Sequence, residues 1–371
     1  MQDSHVKPIA AGITAAVLFG TVGLTVTKAE GEPSYRKAEP VGEIDRADPE
    51  PTTPARDPEP VGGPEFRKAE PVLDIDDPES GPEKRTVFQE PGKITYWVLP
   101  GPRKLDPAVF GTPGDPNKAT RLKPRIKQAR QQVKADRMPP SIPQLLKDLP
   151  ILVGVPMKAR STTPEGDWVL KMPNPFGNEA RIIEGQFTAT FTDVVDHDTP
   201  GKPGQTPDSA TMEATFKDPA GNAYRAVLDH VVMPPLPGYE TDGGVLLDGT
   251  HHGDTGTGSP LMPEVETIAA FWGVGKLFVN GEPTGDMHMM HLMTTEVVRD
   301  RDYHLVFEKD LPLPPEERQI QDQTHHTHLV ILPVTPRQGG PVFNPLPTAF
   351  ELPNGKKQPF IHVMFEEDTV D

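Results

Sequence analysis

The sequence predicts a mainly β protein, with an antiparallel β-sandwich, or two small ones, preceded by one transmembrane helix, a proline-rich extended tether and a short basic helix. Three observations support this prediction. The 371 residues include 47 prolines, which break long helices. An uncharged run covers residues 8–27. From residue 151 onward, short segments of alternating polar and apolar residues are separated by turn-forming residues, as in antiparallel β proteins.

These patterns divide the chain into five regions. They are an N-terminal flank at 1–7, a transmembrane helix at 8–27, an acidic, proline-rich tether at 28–92, a connecting region with a basic amphipathic helix at 93–150, and the extrinsic β-sandwich at 151–371.

The uncharged run is long enough for one helical crossing of a bilayer core of roughly 30 Å. We favour an uncleaved anchor in the lipid bilayer over a cleaved signal peptide, because the best cleavage candidate, around Ala29, matches the small-residue pattern poorly. Gly12, Ala16 and Gly20 recur at a spacing that lets another transmembrane helix approach closely. Glycine and alanine are also common in membrane helices in general, which is the alternative explanation.

The charges around this run leave its orientation open. Lys7 precedes it, and Lys28, Arg36 and Lys37 follow it, so the positive-inside rule alone places the bulk of the chain in the cytoplasm. Long domains cross regardless of local charge, and this one is acidic, cysteine-free and rich in histidine and methionine. We therefore expect a single-pass protein of the inner (cell) membrane whose bulk is periplasmic.

The tether contains a duplicated motif. Residues 33–41 (PSYRKAEPV) match residues 64–72 (PEFRKAEPV), and both copies keep an aromatic residue followed by a basic pair. We interpret the copies as docking motifs for subunits of an integral-membrane complex; the alternative is a neutral duplication of linker. The predicted contact residues are Tyr35, Arg36 and Lys37 in the first copy and Phe66, Arg67 and Lys68 in the second.

Further along the chain, residues 121–137 have one apolar and one basic helical face. The basic face suits an anionic lipid surface or an acidic partner, or else packs on the protein's own acidic loops. The predicted strands are 94–99, 151–159, 168–171, 186–192, 211–216, 223–233, 245–247, 276–279, 287–298, 303–307, 327–334 and 360–365.

Histidine and methionine cluster in three segments, at 248–254, 287–293 and 325–328. If 287–293 is a strand, Met289, His291 and Met293 share one face, and His326 and His328 likewise point the same way. Imidazole and thioether groups bind copper, and imidazole also binds other transition metals such as iron. The alternative is that these side chains only pack in a core, since no spacing matches a specific metal motif and no cofactor is required by the pattern.

Composition excludes several classes of function. A net charge of −17 argues against nucleic-acid binding, and the absence of cysteine excludes disulfides, thiolate metal sites and thiol catalysis. No nucleophile elbow or phosphate loop is present, so we expect no enzyme.

Two functions remain. The first is a membrane-anchored accessory subunit that docks on and stabilises a larger membrane complex, such as a respiratory or photosynthetic electron-transfer complex. The alternative is a membrane-tethered periplasmic protein that binds copper or iron through its histidine and methionine clusters.

Overall fold

The computed structural model describes residues 82–116, 155, 157–194, 206–232, 244–253, 255, 259–338, 340–352 and 355–371. They belong to one compact unit, Asp74–Asp371. The expected membrane helix, both copies of the docking motif and the basic helix at 121–137 lie outside these ranges. Within them, no helix combines the length and apolar character that crossing a bilayer requires.

Strands dominate the described residues, which confirms the prediction of a mainly β protein. One short helix, α1, spans Pro107–Phe110, and single 3₁₀ turns span Met157–Ala159, Glu308–Asp310 and Pro315–Glu317. The strands are β1 (Glu83–Gln89), β2 (Thr95–Val98), β3 (Gly101–Lys104), β4 (Arg160–Thr162), β5 (Trp168–Asn174), β6 (Ala180–Ile183), β7 (Gly185–Asp193), β8 (Ser209–Lys217), β9 (Ala223–Val231), β10 (Val245–His251), β11 (Val265–Val279), β12 (Glu282–Glu296), β13 (His325–Ile331), β14 (Val334–Thr335), β15 (Val342–Phe343), β16 (Ile361–Phe365) and β17 (Thr369–Val370).

Twelve of these strands pair into one antiparallel sheet. Its order is β17-β1-β7-β8-β9-β11-β12-β13-β16-β2-β6, and β10 pairs with β11 beside this path. The antiparallel pairing agrees with the prediction. The sequence predicts a sandwich, whereas here the long strands share one sheet that curls into a half-barrel. Twisted sheets of more than about ten strands generally curl or split in this way.

Apolar side chains at every second position fill the inside of the curled sheet. On β7, Phe187, Ala189 and Phe191 are buried there. The ring of Phe187 lies 4.5 Å from that of Phe365 on β16, and Phe191 lies 5.5 Å from Phe271 on β11. Opposite halves of the sheet therefore bury each other's apolar faces, which contributes about 1.5–3 kcal/mol for each large side chain.

The sequence predicts that the β domain begins at residue 151, but strands of this domain begin earlier in the chain. Strand β1 lies in the segment assigned to the tether, and β2 lies in the segment assigned to the connecting region. β1 pairs with β7 and β17, and β2 pairs with β16 and β6. Val87 of β1 and Trp97 of β2 are fully buried. These two strands therefore complete the interior core.

Strands β11 and β12 form a hairpin of two 15-residue strands. Asn280 and Gly281 form its turn with positive φ angles of 52° and 87°, as expected for the Asn-Gly turn in the sequence. Residues 265–275, the first part of β11, are absent from the strand prediction, which covers only 276–279. Gly273 and Gly275 interrupt the alternating pattern there, and they sit where β11 passes a bulge against β9.

The segment 303–307, predicted as a strand, has a different structure. It is irregular, follows a turn at residues 301–302, and forms one isolated bridge between Leu305 and Arg299. Arg299 is fully buried, and its guanidinium donates hydrogen bonds to the carbonyl oxygens of Tyr303 and Gly177. The chain turns here so that the Tyr303 carbonyl reaches the Arg299 guanidinium, and Tyr303 adopts a positive φ of 67°.

A second layer covers the outer face of β11, β12 and β13. It contains a three-stranded sheet in the order β3-β5-β4 and helix α1. The two layers share a second apolar core, distinct from the interior of the curled sheet. Its members include Leu105, Phe110, Leu170 and Phe176 of the second layer and Trp272, Val274, Met289, Met293 and Val330 of the main sheet.

Candidate metal centre

Histidine and methionine side chains form rows across the strands on the face that the second layer covers. Residues that pair directly across antiparallel strands lie on the same face of the sheet. From β11 through β12 and β13 to β16, one row is Trp272, His291, Val330 and His362, and the next is Ala270, Met293, His328 and Met364.

Strand β12 separates its side chains as the alternation predicts. Met289 and Met293 belong to the core between the layers, and Met290 and Leu292 belong to the interior core. His291 is buried on the same side as Met289 and Met293. Met289 packs among apolar residues one row away from His291.

Two further histidines reach this face from β10. His251 ends the strand, and His252 follows with a positive φ of 66°, an uncommon conformation for a residue other than glycine. His251, His252 and His291 are buried, and each offers a ring nitrogen within 4.8 Å of the others. This cluster could hold a metal ion. The sequence draws attention to segment 248–254, but only the pairing of β10 with β11 brings its histidines to β12.

His291 is ready to bind a cation. Its Nδ1 lies 2.9 Å from the carbonyl oxygen of Phe271 and must donate to it, because a carbonyl only accepts. Burial holds the pKa of His291 well below its ordinary value, so the ring is neutral and Nε2 keeps its lone pair. This buried Nε2 has no hydrogen-bond partner among the described residues.

His252 is held differently. The backbone N–H of Ser259 donates to its Nδ1 at 2.7 Å, so the proton of the neutral ring lies on Nε2. That Nε2 lies 2.7 Å from the Met293 sulfur. Metal binding through His252 Nε2 therefore requires the Ser259 amide to release this bond, whereas His291 needs no rearrangement.

A cavity of about 30 Å³ borders these side chains. A cavity above about 10–15 Å³ admits one water-sized group. The indole of Trp272 stacks on the His291 ring at 4.1 Å and 10°, which fixes the ring at the edge of the cavity. The lining residues are Pro175, Phe176, His252, Ser259, Trp272, His291, Met293, His328, Val330 and Leu332.

The other predicted ligands, His326 and His328, lie beside two residues that the sequence analysis missed. His328 Nδ1 lies 3.1 Å from Nε2 of His362, and His326 Nδ1 lies 3.1 Å from a carboxylate oxygen of Glu366. Burial lowers the pKa of His362 to about 3 and that of His328 well below its ordinary value. The available signal was the alternation of His362 and Met364 along β16, continued by Glu366 directly after the strand.

A buried cation and a buried carboxylate flank these histidines. The Arg299 guanidinium donates to the Met364 sulfur at 3.0 Å and lies over the Tyr303 ring at 4.7 Å. The Tyr303 hydroxyl donates to Glu366 at 2.9 Å. Burial lowers the pKa of Arg299 and raises that of Tyr303 well above its ordinary value, so Tyr303 remains a hydrogen-bond donor.

Comparison with protein-family models, with curated proteins and with solved structures finds no match to this chain.

Proposed function

We propose that this protein binds copper in a buried centre formed by His251, His252, His291 and the thioether of Met293. The observation that carries this proposal is the bare Nε2 lone pair of His291. It lies within 4.8 Å of ring nitrogens of two more buried histidines. The backbone carbonyl that holds its Nδ1 proton is a typical outer-shell partner of a metal-binding histidine.

The donor set favours copper over other transition metals. Imidazole nitrogens suit zinc, copper, nickel and iron alike, but thioether sulfur is a soft ligand that selects Cu(I). The Met293 sulfur lies 2.7 Å from His252 Nε2, so an ion at that nitrogen would be close to the sulfur.

The burial of the centre supports metal binding or electron transfer rather than catalysis on a substrate. His251, His252 and His291 are each at most 3% exposed. Catalytic metal sites keep an open coordination position for water or substrate, and a cavity of about 30 Å³ leaves no room for a substrate larger than a few atoms.

The test is copper retention after loading with Cu(I) under anaerobic conditions and desalting. We expect His291→Ala to lose one equivalent of copper relative to the wild type, because it removes the preorganised ligand. The matched control is His230→Ala, which removes an exposed histidine on β9. Unchanged copper retention in His291→Ala would contradict the proposal.

A second role is compatible with the first and rests on the duplicated motif at residues 33–41 and 64–72. In this proposal, residues 8–27 anchor the protein in the inner membrane, with the β domain on the periplasmic side. The two motifs then dock the protein, as an accessory subunit, on a larger membrane complex such as an electron-transfer assembly. A copper centre on such a subunit would lie close to redox partners.

A further inference from the structure

His326 and His328 bring two ring nitrogens together in the core between the layers. Their Nε2 atoms lie 3.1 Å apart, and both rings are buried. At this distance one nitrogen normally donates a hydrogen bond to the other. The positions of the ring protons therefore decide the nature of the contact.

The proton of His328 is placed by His362. His362 Nδ1 donates to the carbonyl oxygen of Pro175, which only accepts. With its proton on Nδ1, the His362 ring accepts at Nε2 from His328 Nδ1, which lies 3.1 Å away. His328 then carries its own proton on Nδ1 and presents a bare lone pair at Nε2.

The proton of His326 is placed by Glu366. One carboxylate oxygen of Glu366 accepts from the Tyr303 hydroxyl, and the other lies 3.1 Å from His326 Nδ1 and accepts from it. The backbone N–H of Val298 donates to His326 Nε2 at 3.3 Å. His326 Nε2 is therefore also an acceptor, and it lies 3.1 Å from the bare Nε2 of His328.

We propose that a metal ion binds between His326 and His328 through both Nε2 atoms, at a second position beside the copper centre that shares no ligand with it. Two accepting nitrogens 3.1 Å apart with no proton between them repel in a core of low dielectric constant, and a cation bound to both removes this repulsion. With metal–nitrogen bonds of about 2.0–2.1 Å, this separation corresponds to an angle of about 98° at the metal, which suits square or tetrahedral coordination.

The surroundings of the pair are those of metal-binding histidines, whose second N–H usually donates to a carboxylate, a carbonyl or water. His326 donates to Glu366, and His328 donates to His362, which is itself anchored on a carbonyl. The Glu366 carboxylate also offsets the positive charge of Arg299. The ion replaces the long Val298 contact.

The test is a count of metal ions per chain in the full-length protein. The protein is incubated with Cu(I) and Zn²⁺ together, desalted, and analysed for both metals by mass spectrometry. We expect two ions per wild-type chain, one in His326→Gln and one in His291→Ala. The control His304→Ala, which removes an exposed histidine, should keep two.

Each outcome separates the two sites. One ion in the wild type and none in His291→Ala overturns the second position and supports the copper centre. It is the result expected if the rings of His326 and His328 share a proton instead of a metal ion. One ion in both proteins supports the second position and contradicts the first. No ion in the wild type contradicts both. These outcomes do not depend on whether His326→Gln folds.

Discussion

The contacts of His291 leave its Nε2 with a lone pair that could accept a cation. The Phe271 carbonyl of the neighbouring strand holds the Nδ1 proton, and Trp272 of that strand holds the ring plane. Burial then keeps the ring neutral, so no proton has to leave Nε2 before a cation arrives. His252, by contrast, must exchange its bond with Ser259 for the metal. We infer that His291 is the first ligand and that His252 completes the centre.

In the proposed copper centre, we expect the sulfur of Met293 to determine the choice of metal. We expect Met293→Leu, which keeps the size of the side chain but removes the sulfur, to weaken Cu(I) binding by about tenfold to a hundredfold. Zinc binding, which depends on imidazole, should change little. Competition with a coloured Cu(I) chelator measures the first effect, and a zinc-sensitive dye measures the second.

The control for this substitution is Met289→Leu, on the same face of β12 but packed among apolar residues one row away. It should leave both affinities unchanged. Equal losses of Cu(I) and zinc affinity in Met293→Leu would indicate altered packing instead of a lost ligand.

At the level of elements, the sequence predicts strands best where one face is buried and the other is exposed to solvent. Strand β7 alternates between buried and more exposed residues, and the prediction matches it closely. In contrast, β11 is buried on both faces from Ala269 to Gly275, so alternation disappears. Glycine also weakens the strand pattern, although at Gly275 a side chain would meet the backbone of β9, so that only glycine fits there. Strand β1 begins with three charged residues and so resembles the tether.

The candidate site was predictable only in part, because the sequence shows which residues share a face of one strand but not which strands are neighbours. Period-two alternation places Met289, His291 and Met293 on one face and His326 and His328 on one face, and the structure agrees. Alternation within a strand does not reveal which strands are neighbours. The pairing of β12 with both β11 and β13, and of β10 with β11, brings in His252 and the stacked indole of Trp272. These contacts join residues far apart in sequence.

For the whole molecule, we propose a membrane anchor, then two docking motifs, then a metal-binding β domain, in sequence order. The motifs are identical in the Arg-Lys pair and conserve an aromatic residue, the combination that dominates the binding energy of many interfaces. Two linked motifs bind more tightly than one, because the second binds at a high effective concentration.

We therefore expect Tyr35→Ala and Phe66→Ala each to weaken co-purification with membrane partners in mild detergent. The double substitution should weaken it by more than the product of the two single effects, since each single variant still binds through one intact motif and the double variant keeps none. Copper binding should be the same in all three variants. Full co-purification of the double variant would show that the repeat is only a spacer.

X-ray absorption spectroscopy of the full-length protein loaded with one equivalent of Cu(I) is the most direct test of the copper centre. We predict two or three imidazole nitrogens at about 2.0–2.1 Å together with one sulfur neighbour. Because the chain contains no cysteine, that sulfur belongs to a methionine, and it should disappear in Met293→Leu. Copper surrounded only by nitrogen and oxygen, with the same spectrum in Met293→Leu, would contradict a centre built from His251, His252, His291 and Met293.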